Sequence, residues 1–134
     1  MAGSSPTDEI RALSGAGNGI EVLGFVPDEK LEELYRSVRV VAVPLRYGAG
    51  VKGKVTEALS RGSAIVTTSV GAEGIPEGET AMVITDEAQS FAAACIEMYQ
   101  KEGKRAELRK KGLELIRKYY STDAAWQVIE KDFR

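Results

Sequence analysis

Residues 44–74 read PLRYGAGVKGKVTEALSRGSAIVTTSVGAEG, and the succession of residue types in this stretch decides the fold. An apolar strand end runs into a loop containing Gly48, Gly50 and Gly53. A short helix carrying Glu57 follows and stops at Gly62, after which come a second β-branched strand and a second glycine loop from Gly71 to Gly74. Strand, loop, helix, strand is the repeating unit of an open α/β sheet, where ligands bind beyond the carboxyl ends of neighbouring strands. A glycine loop that enters a helix offers backbone N–H groups and the positive end of the helix dipole, which suits phosphate oxygens. Glu57 stands about one turn into that helix, so its carboxylate can face back toward whatever the loop holds. The local chemistry is that of a phosphorylated small-molecule ligand.

Working outward, four segments have the apolar, β-branched composition of strands: 20–24, 39–45, 64–69 and 81–85. The second of these is nearly continuous, the mark of a strand buried on both faces. Ser5-Pro6-Thr7-Asp8-Glu9 predicts a helix start with Ser5 as cap and Pro6 in the first position. Leu31, Leu34, Tyr35 and Val38 have the spacing of an amphipathic helix. Residues 54–61 form a helix ended by Gly62 as its C′ residue, and 71–78 are too loop-like for a long helix. The last third is helical. Phe91, Ala94, Cys95, Met98 and Tyr99 make one apolar stripe, and Leu108, Gly112, Leu115, Ile116 and Tyr119 make a second. Ser121 can cap a terminal helix carrying Trp126, Ile129 and Phe133, with Trp126 anchoring that helix on the sheet rather than binding sugar. The fold expected is a single α/β domain over residues 1–134, a doubly wound, Rossmann-like parallel sheet of about four strands with a helical C-terminal tail.

Composition narrows the function. A chain of 134 residues with 43% hydrophobic content is long and apolar enough to bury a core. A net charge of −2 gives no reason to expect a nucleic-acid partner. Cys95 is the one cysteine, a core residue on its stripe, and a reducing, cytoplasmic location is expected. The first residues do not resemble a signal peptide, and the longest apolar run, 40–45, is far too short to span a bilayer. The sequence has no histidine, so a histidine base would have to come from elsewhere.

Gly48-Ala-Gly-Val-Lys-Gly53-Lys54 satisfies the first seven positions of the P-loop pattern. The next position must be Ser or Thr to hold Mg²⁺, and it is Val55; Thr56 is one residue late, about 100° around the helix. A nucleoside-triphosphatase reading is therefore set aside. A different pattern takes in more residues. Arg46-x-Gly48-x-Gly50-x-Lys52-x-Lys54-x-x-Glu57-Ala58, then Gly62, the strand AIVTTS and Gly71-Ala72-Glu73-Gly74, resembles the C-terminal half of group 1 (GT4-type) glycosyltransferases. Gly24-Phe-Val-Pro-Asp28 with Leu31 is similar to the family's loop at the donor's base, and Tyr120-Ser121 to its closing pattern.

The resemblance implies the nucleotide-binding half of a GT-B enzyme that transfers a sugar, of hexosyl type and with retention, from a nucleotide-diphosphate sugar. On that reading Glu57 accepts hydrogen bonds from the ribose hydroxyls, Gly50, Val51 and Lys52 present backbone N–H groups to the diphosphate, Lys52, Lys54 and Arg46 are the nearby cations, and Val26 and Leu31 pack on the base. No metal site and no cofactor beyond the donor are expected. Many members carry two glutamates, and here the position eight before Glu57 is Ala49. The bland readings are that Glu57 is a solvated helix acid, that the glycines only make turns, and that Tyr47 covers a strand edge rather than stacking on a ligand.

The helix-first start and narrow sheet lead to the expectation that the chain is incomplete at its amino end. It would then lack an acceptor-binding domain and the catalytic residues, would not transfer sugar alone, and would self-associate through an exposed sheet edge. Residues 101–118 hold eight basic residues against three acids; they read as a solvated helix face, with peripheral attachment to anionic lipid as the sharper alternative. The competing class is a non-catalytic α/β nucleotide-binding or interaction module.

Overall fold

The computed structural model describes residues 7–15 and 17–120. The chain divides into two units, Met1–Ser37 and Val38–Arg134. In the first, helix α1 (Asp8–Leu13) is capped by Thr7, whose side-chain oxygen accepts from the Ile10 N–H at 3.3 Å. The cap is thus Thr7 rather than the expected Ser5, which with Pro6 lies outside the described residues. Helix α2 (Asp28–Ser37) follows, with Leu31, Leu34 and Tyr35 half-buried along one side; Val38 falls beyond its end and is exposed. Segment 20–24 is not a strand: only Gly24 makes an isolated bridge. It is bracketed by Gly19 and Gly24, whose positive φ values of 74° and 66° turn the backbone out of extended geometry at both ends.

The second unit carries the sheet. Strands β1 (Val41–Val43), β2 (Ile65–Thr67) and β3 (Val83–Ile84) pair in parallel in the order β1-β2-β3, with Val43 opposite Thr67 and Thr67 opposite Ile84. The α/β class and the parallel sheet are as expected; among the described residues the strands number three, not four. Central β2 is buried throughout, as a strand covered on both faces must be. The expected burial of 39–45 on both faces is not found. β1 spans only Val41–Val43, with Ala42 exposed, because it is an outer strand and Pro44, which has no N–H to donate, follows it at once.

Helix α3 (Gly53–Ser60) connects β1 to β2 and buries Val55, Ala58 and Leu59. It ends at Gly62 as the sequence indicates: Gly62 has φ +71°, its N–H bonds Leu59 O at 3.0 Å and the Ser63 N–H bonds Ala58 O at 3.1 Å. These are the two paired bonds of a Schellman end. Two four-residue helices, α4 (Ser69–Ala72) and α5 (Gly78–Ala81), fill the β2–β3 crossover. Helices α6 (Ala88–Gln100) and α7 (Glu102–Tyr119) complete the described chain. Both expected stripes are present: Met98 is buried among half-buried Phe91, Ala94 and Cys95, and Gly112 and Leu115 are buried on α7, although Tyr99 is exposed. Burial raises the Cys95 thiol pKa.

Arg105 lies on the same α7 stripe and is 8% exposed. Its guanidinium donates to Met98 O at 2.8 Å and to Tyr99 O, closing carbonyls left open at the end of α6. In the rest of the basic run, Lys101 and Lys104 pair with Glu97, Lys111 with Glu107 and Lys118 with Glu77. Among the described residues no helix is long and apolar enough to cross a membrane. The expected helix with Trp126, Ile129 and Phe133 lies outside the described residues.

Candidate functional site

Parallel pairing brings the carboxyl ends of the three strands to one edge, and each exit there carries a distinct device. After β1 comes the glycine loop. Gly48 and Gly50 have φ values of +120° and +81°, conformations that L side chains rarely adopt, so the loop needs glycine at both places. Lys52 closes the loop as the cap residue of α3 without a side-chain cap bond, while its carbonyl accepts from the N–H groups of Val55 and Thr56 at 3.1 and 3.2 Å. The earliest N–H groups of α3 have no place in the intrahelical ladder, as at any helix start. They face the loop side with the positive end of the dipole behind them.

Glu57 is half-buried on α3. It lies four residues beyond Gly53, hence on the same helix face, and helical side chains lean toward the N-terminus. Lys54 and Arg46 are exposed, as is Val51, while Lys52 is half-buried. Tyr47 is 85% exposed and packs on little of its own chain. Arg46, Gly50, Val51, Lys52, Lys54 and Glu57 all belong to the second unit; Val26 and Leu31 belong to the first, each half-buried there.

After β2 the chain turns straight into α4. Thr67 is fully buried and its hydroxyl donates to Val43 O at 2.9 Å, while the Thr68 hydroxyl donates to Leu45 O and accepts from the Gly71 N–H at 3.2 Å. One threonine pair thus ties the exit of β1 to the start of α4. After β3, Asp86 accepts from the Ser69 N–H at 2.8 Å and the Ser69 hydroxyl at 2.6 Å. Those bonds, the hydroxyl's first, hold the Asp86 pKa below its ordinary value.

The second glycine loop closes on the first. Lys52 Nζ lies 3.5 Å from Glu73 Oε2 and donates to Gly50 O. Val51 packs against Gly74 so closely that a Cβ on Gly74, which also has φ +76°, would come within 2.8 Å of Val51 Cγ2. Further along, Glu77 adopts a left-handed conformation (φ 57°, ψ 21°) and accepts from Tyr119 OH at 2.6 Å and Lys118 Nζ at 3.0 Å. The Tyr119 bond, then Lys118, lowers the Glu77 pKa, and Glu77 in turn raises that of Lys118. Sequence reasoning assigned no role to Glu73, Glu77 or Asp86. Among the described residues no group of three or more His, Cys, Asp or Glu is arranged to hold a metal ion.

A glycine loop entering a helix, a half-buried acid one turn on and a second glycine loop across from it match the pattern read from the sequence. Comparison with known proteins agrees with it. Residues 1–101 match the family described as glycosyl transferases group 1. An uncharacterized 44.6 kDa protein in the cps region of Klebsiella pneumoniae is 34% identical over 73 residues. That match takes in 53% of this chain but only 19% of the Klebsiella protein, so the chain spans a small part of that relative's length. With three quarters of its length matched, this chain belongs to the group 1 glycosyltransferases.

Proposed function

We propose that the carboxyl edge of the sheet binds the nucleoside diphosphate of a sugar donor, and that this chain is the donor half of a hexosyl-transferring enzyme. The loop carries the diphosphate: N–H groups of Gly50, Val51 and Lys52 and the start of α3 face the phosphates, with Lys52, Lys54 and Arg46 supplying positive charge. Glu57 takes the ribose, because a carboxylate accepts from two adjacent hydroxyls at once. The observation that carries the reading is the half-buried Glu57 on the same face of α3 as Gly53, behind a loop that only glycines can form. The helix end and the cations neutralise the phosphates, so a divalent metal is not required.

The test compares ligands on one protein. A ligand at ten times its dissociation constant adds about 1.4 kcal/mol to the unfolding free energy, readable as a rise in melting temperature with UDP, GDP, ADP or TDP, with and without Mg²⁺. Glu57→Gln should weaken nucleoside diphosphate binding by about 1–2 kcal/mol, since a charged acceptor becomes a neutral amide, and leave inorganic pyrophosphate binding unchanged. Equal losses for both ligands would remove Glu57 from the ribose. No stabilisation by any nucleotide at millimolar concentration would leave the edge without a nucleotide.

A further inference from the structure

We propose that Glu73 is an internal competitor for the loop's lysine, a carboxylate that occupies Lys52 until a diphosphate takes its place. The proposal rests on reading the loop as a diphosphate site. Three contacts define the clasp. Lys52 Nζ faces Glu73 Oε2 at 3.5 Å while also donating to Gly50 O. The lysine's aliphatic stem lies under Gly48, where an added Cβ would come within 3.1 Å of Cε. Val51 fills the space that a side chain on Gly74 would need.

The two partners differ in what they can do next. The Lys52 side chain is only 13% exposed, folded into its own loop, whereas that of Glu73 is 50% exposed and can turn into water at little cost. Lys52 therefore stays at the loop and Glu73 is the mobile partner. A diphosphate seated on the N–H groups of Gly50, Val51 and Lys52 brings negative charge to within reach of Nζ, and the same approach sets it against the Glu73 carboxylate. Binding must exchange one ion pair for another and turn Glu73 outward. Two consequences follow. Glu73 lowers the affinity for every anion, and it lowers it most for those too weakly charged to displace a carboxylate. A phosphate monoester or inorganic phosphate is held off; a diphosphate, with more charge and two groups to bind, is admitted.

The experiment is calorimetric titration of the 134-residue chain, its Glu73→Gln, Lys52→Gln and doubly substituted variants with inorganic pyrophosphate, inorganic phosphate and UDP. Glu73→Gln keeps the size of a half-exposed side chain, and a thermal melt confirms its fold. Release of the pair should tighten pyrophosphate binding about fivefold, the upper range for a single partly exposed ion pair, and tighten inorganic phosphate binding by at least as much. Lys52→Gln should weaken pyrophosphate binding, and in that background Glu73→Gln should gain less than it does alone. Unchanged or weaker pyrophosphate binding by Glu73→Gln, with UDP still bound by the unsubstituted chain, overturns the competitor role and leaves the donor site standing. Absence of both pyrophosphate and UDP binding in the unsubstituted chain and in Glu73→Gln alike overturns the donor site and the competitor together.

Discussion

Gly71→Ala tests the scaffold beneath the candidate site. A methyl group on Gly71 would land on Thr67 Oγ1, far inside contact distance, with Thr67 Cβ at 3.3 Å and Val43 O at 3.5 Å. None of these atoms is a flexible tip: Thr67 is fully buried in β2 and its hydroxyl is bonded to Val43 O at 2.9 Å. The chain must either push α4 off the sheet or turn the hydroxyl away. Overpacking of a tight core costs about 1–3 kcal/mol, and stranding the buried hydroxyl costs about 1–3 kcal/mol more. Val43 O keeps a second donor, the Leu45 N–H at 3.0 Å, so the carbonyl itself is not orphaned. The expected loss is therefore about 3 kcal/mol, roughly 10 °C in melting temperature for a domain of this size. Thr67→Ala removes the obstacle, and the double variant should be more stable than the sum of the single losses by about 1–2 kcal/mol, the coupling of two side chains in contact. Urea unfolding followed by circular dichroism measures all four proteins. A Gly71→Ala loss below about 0.5 kcal/mol, the scatter of neutral surface changes, or a double variant that merely adds the single losses, would refute the packing argument.

Two further outcomes follow from the same contacts. Glu77 and Asp86 have folded-state pKa values below their ordinary range, so their contribution is present above the unfolded carboxylate pKa of about 4 and is lost as pH falls through the lower folded values. Urea midpoints measured from pH 7 down to pH 2 should fall along this limb, and less steeply in Tyr119→Phe and Ser69→Ala, which remove the largest cause at each acid; unchanged slopes would show these bonds to be idle in solution. Arg105→Met should cost about 2 kcal/mol, since a buried guanidinium bonded to two carbonyls is replaced by a side chain of similar length that can bond to neither, and Arg105→Lys should recover part of it; a urea midpoint equal to that of the unsubstituted chain would place Arg105 among the solvated charges instead.

What could be read in advance depended on whether the deciding partner was local. The end of α3 at Gly62 needs only the helix periodicity and one residue able to take positive φ, and both are visible in the chain. The two helical stripes were legible for the same reason. Segment 20–24 has strand composition, but a strand exists only through a neighbour, and the composition names none. The run 39–45 overstated burial because an apolar pattern cannot reveal that its strand is an outer one. Arg105 was hidden by the charges around it, although a signal was present: it falls three residues before Leu108 and seven before Gly112, in register with the buried stripe. In the loop, the need for glycine at positions 48 and 50 was legible from its chemistry. The partner of Lys52 was not, because Glu73 lies 21 residues away across a helix and a strand.

The segment after β2 combines buried anchors with one weaker, partly exposed contact to the glycine loop. Thr67 and Thr68 fix its start to the exit of β1, Ser69 fixes it to Asp86 after β3, and Glu77 fixes its far end to Lys118 and Tyr119 of α7. Between these anchors stand Glu73 and Gly74, the two residues that meet the glycine loop. The anchor at Thr67 is buried and costs a few kcal/mol to break, whereas the Lys52–Glu73 pair is partly exposed and contributes no more than about 1 kcal/mol. That inequality decides where the structure yields. On the proposed function, a diphosphate competing for Lys52 would have only the weaker contact to overcome, leaving the buried anchors of the segment intact. If the edge binds a donor as proposed, such an arrangement would keep the site's geometry through binding and release, as a reaction needing tight placement of the transferred group requires.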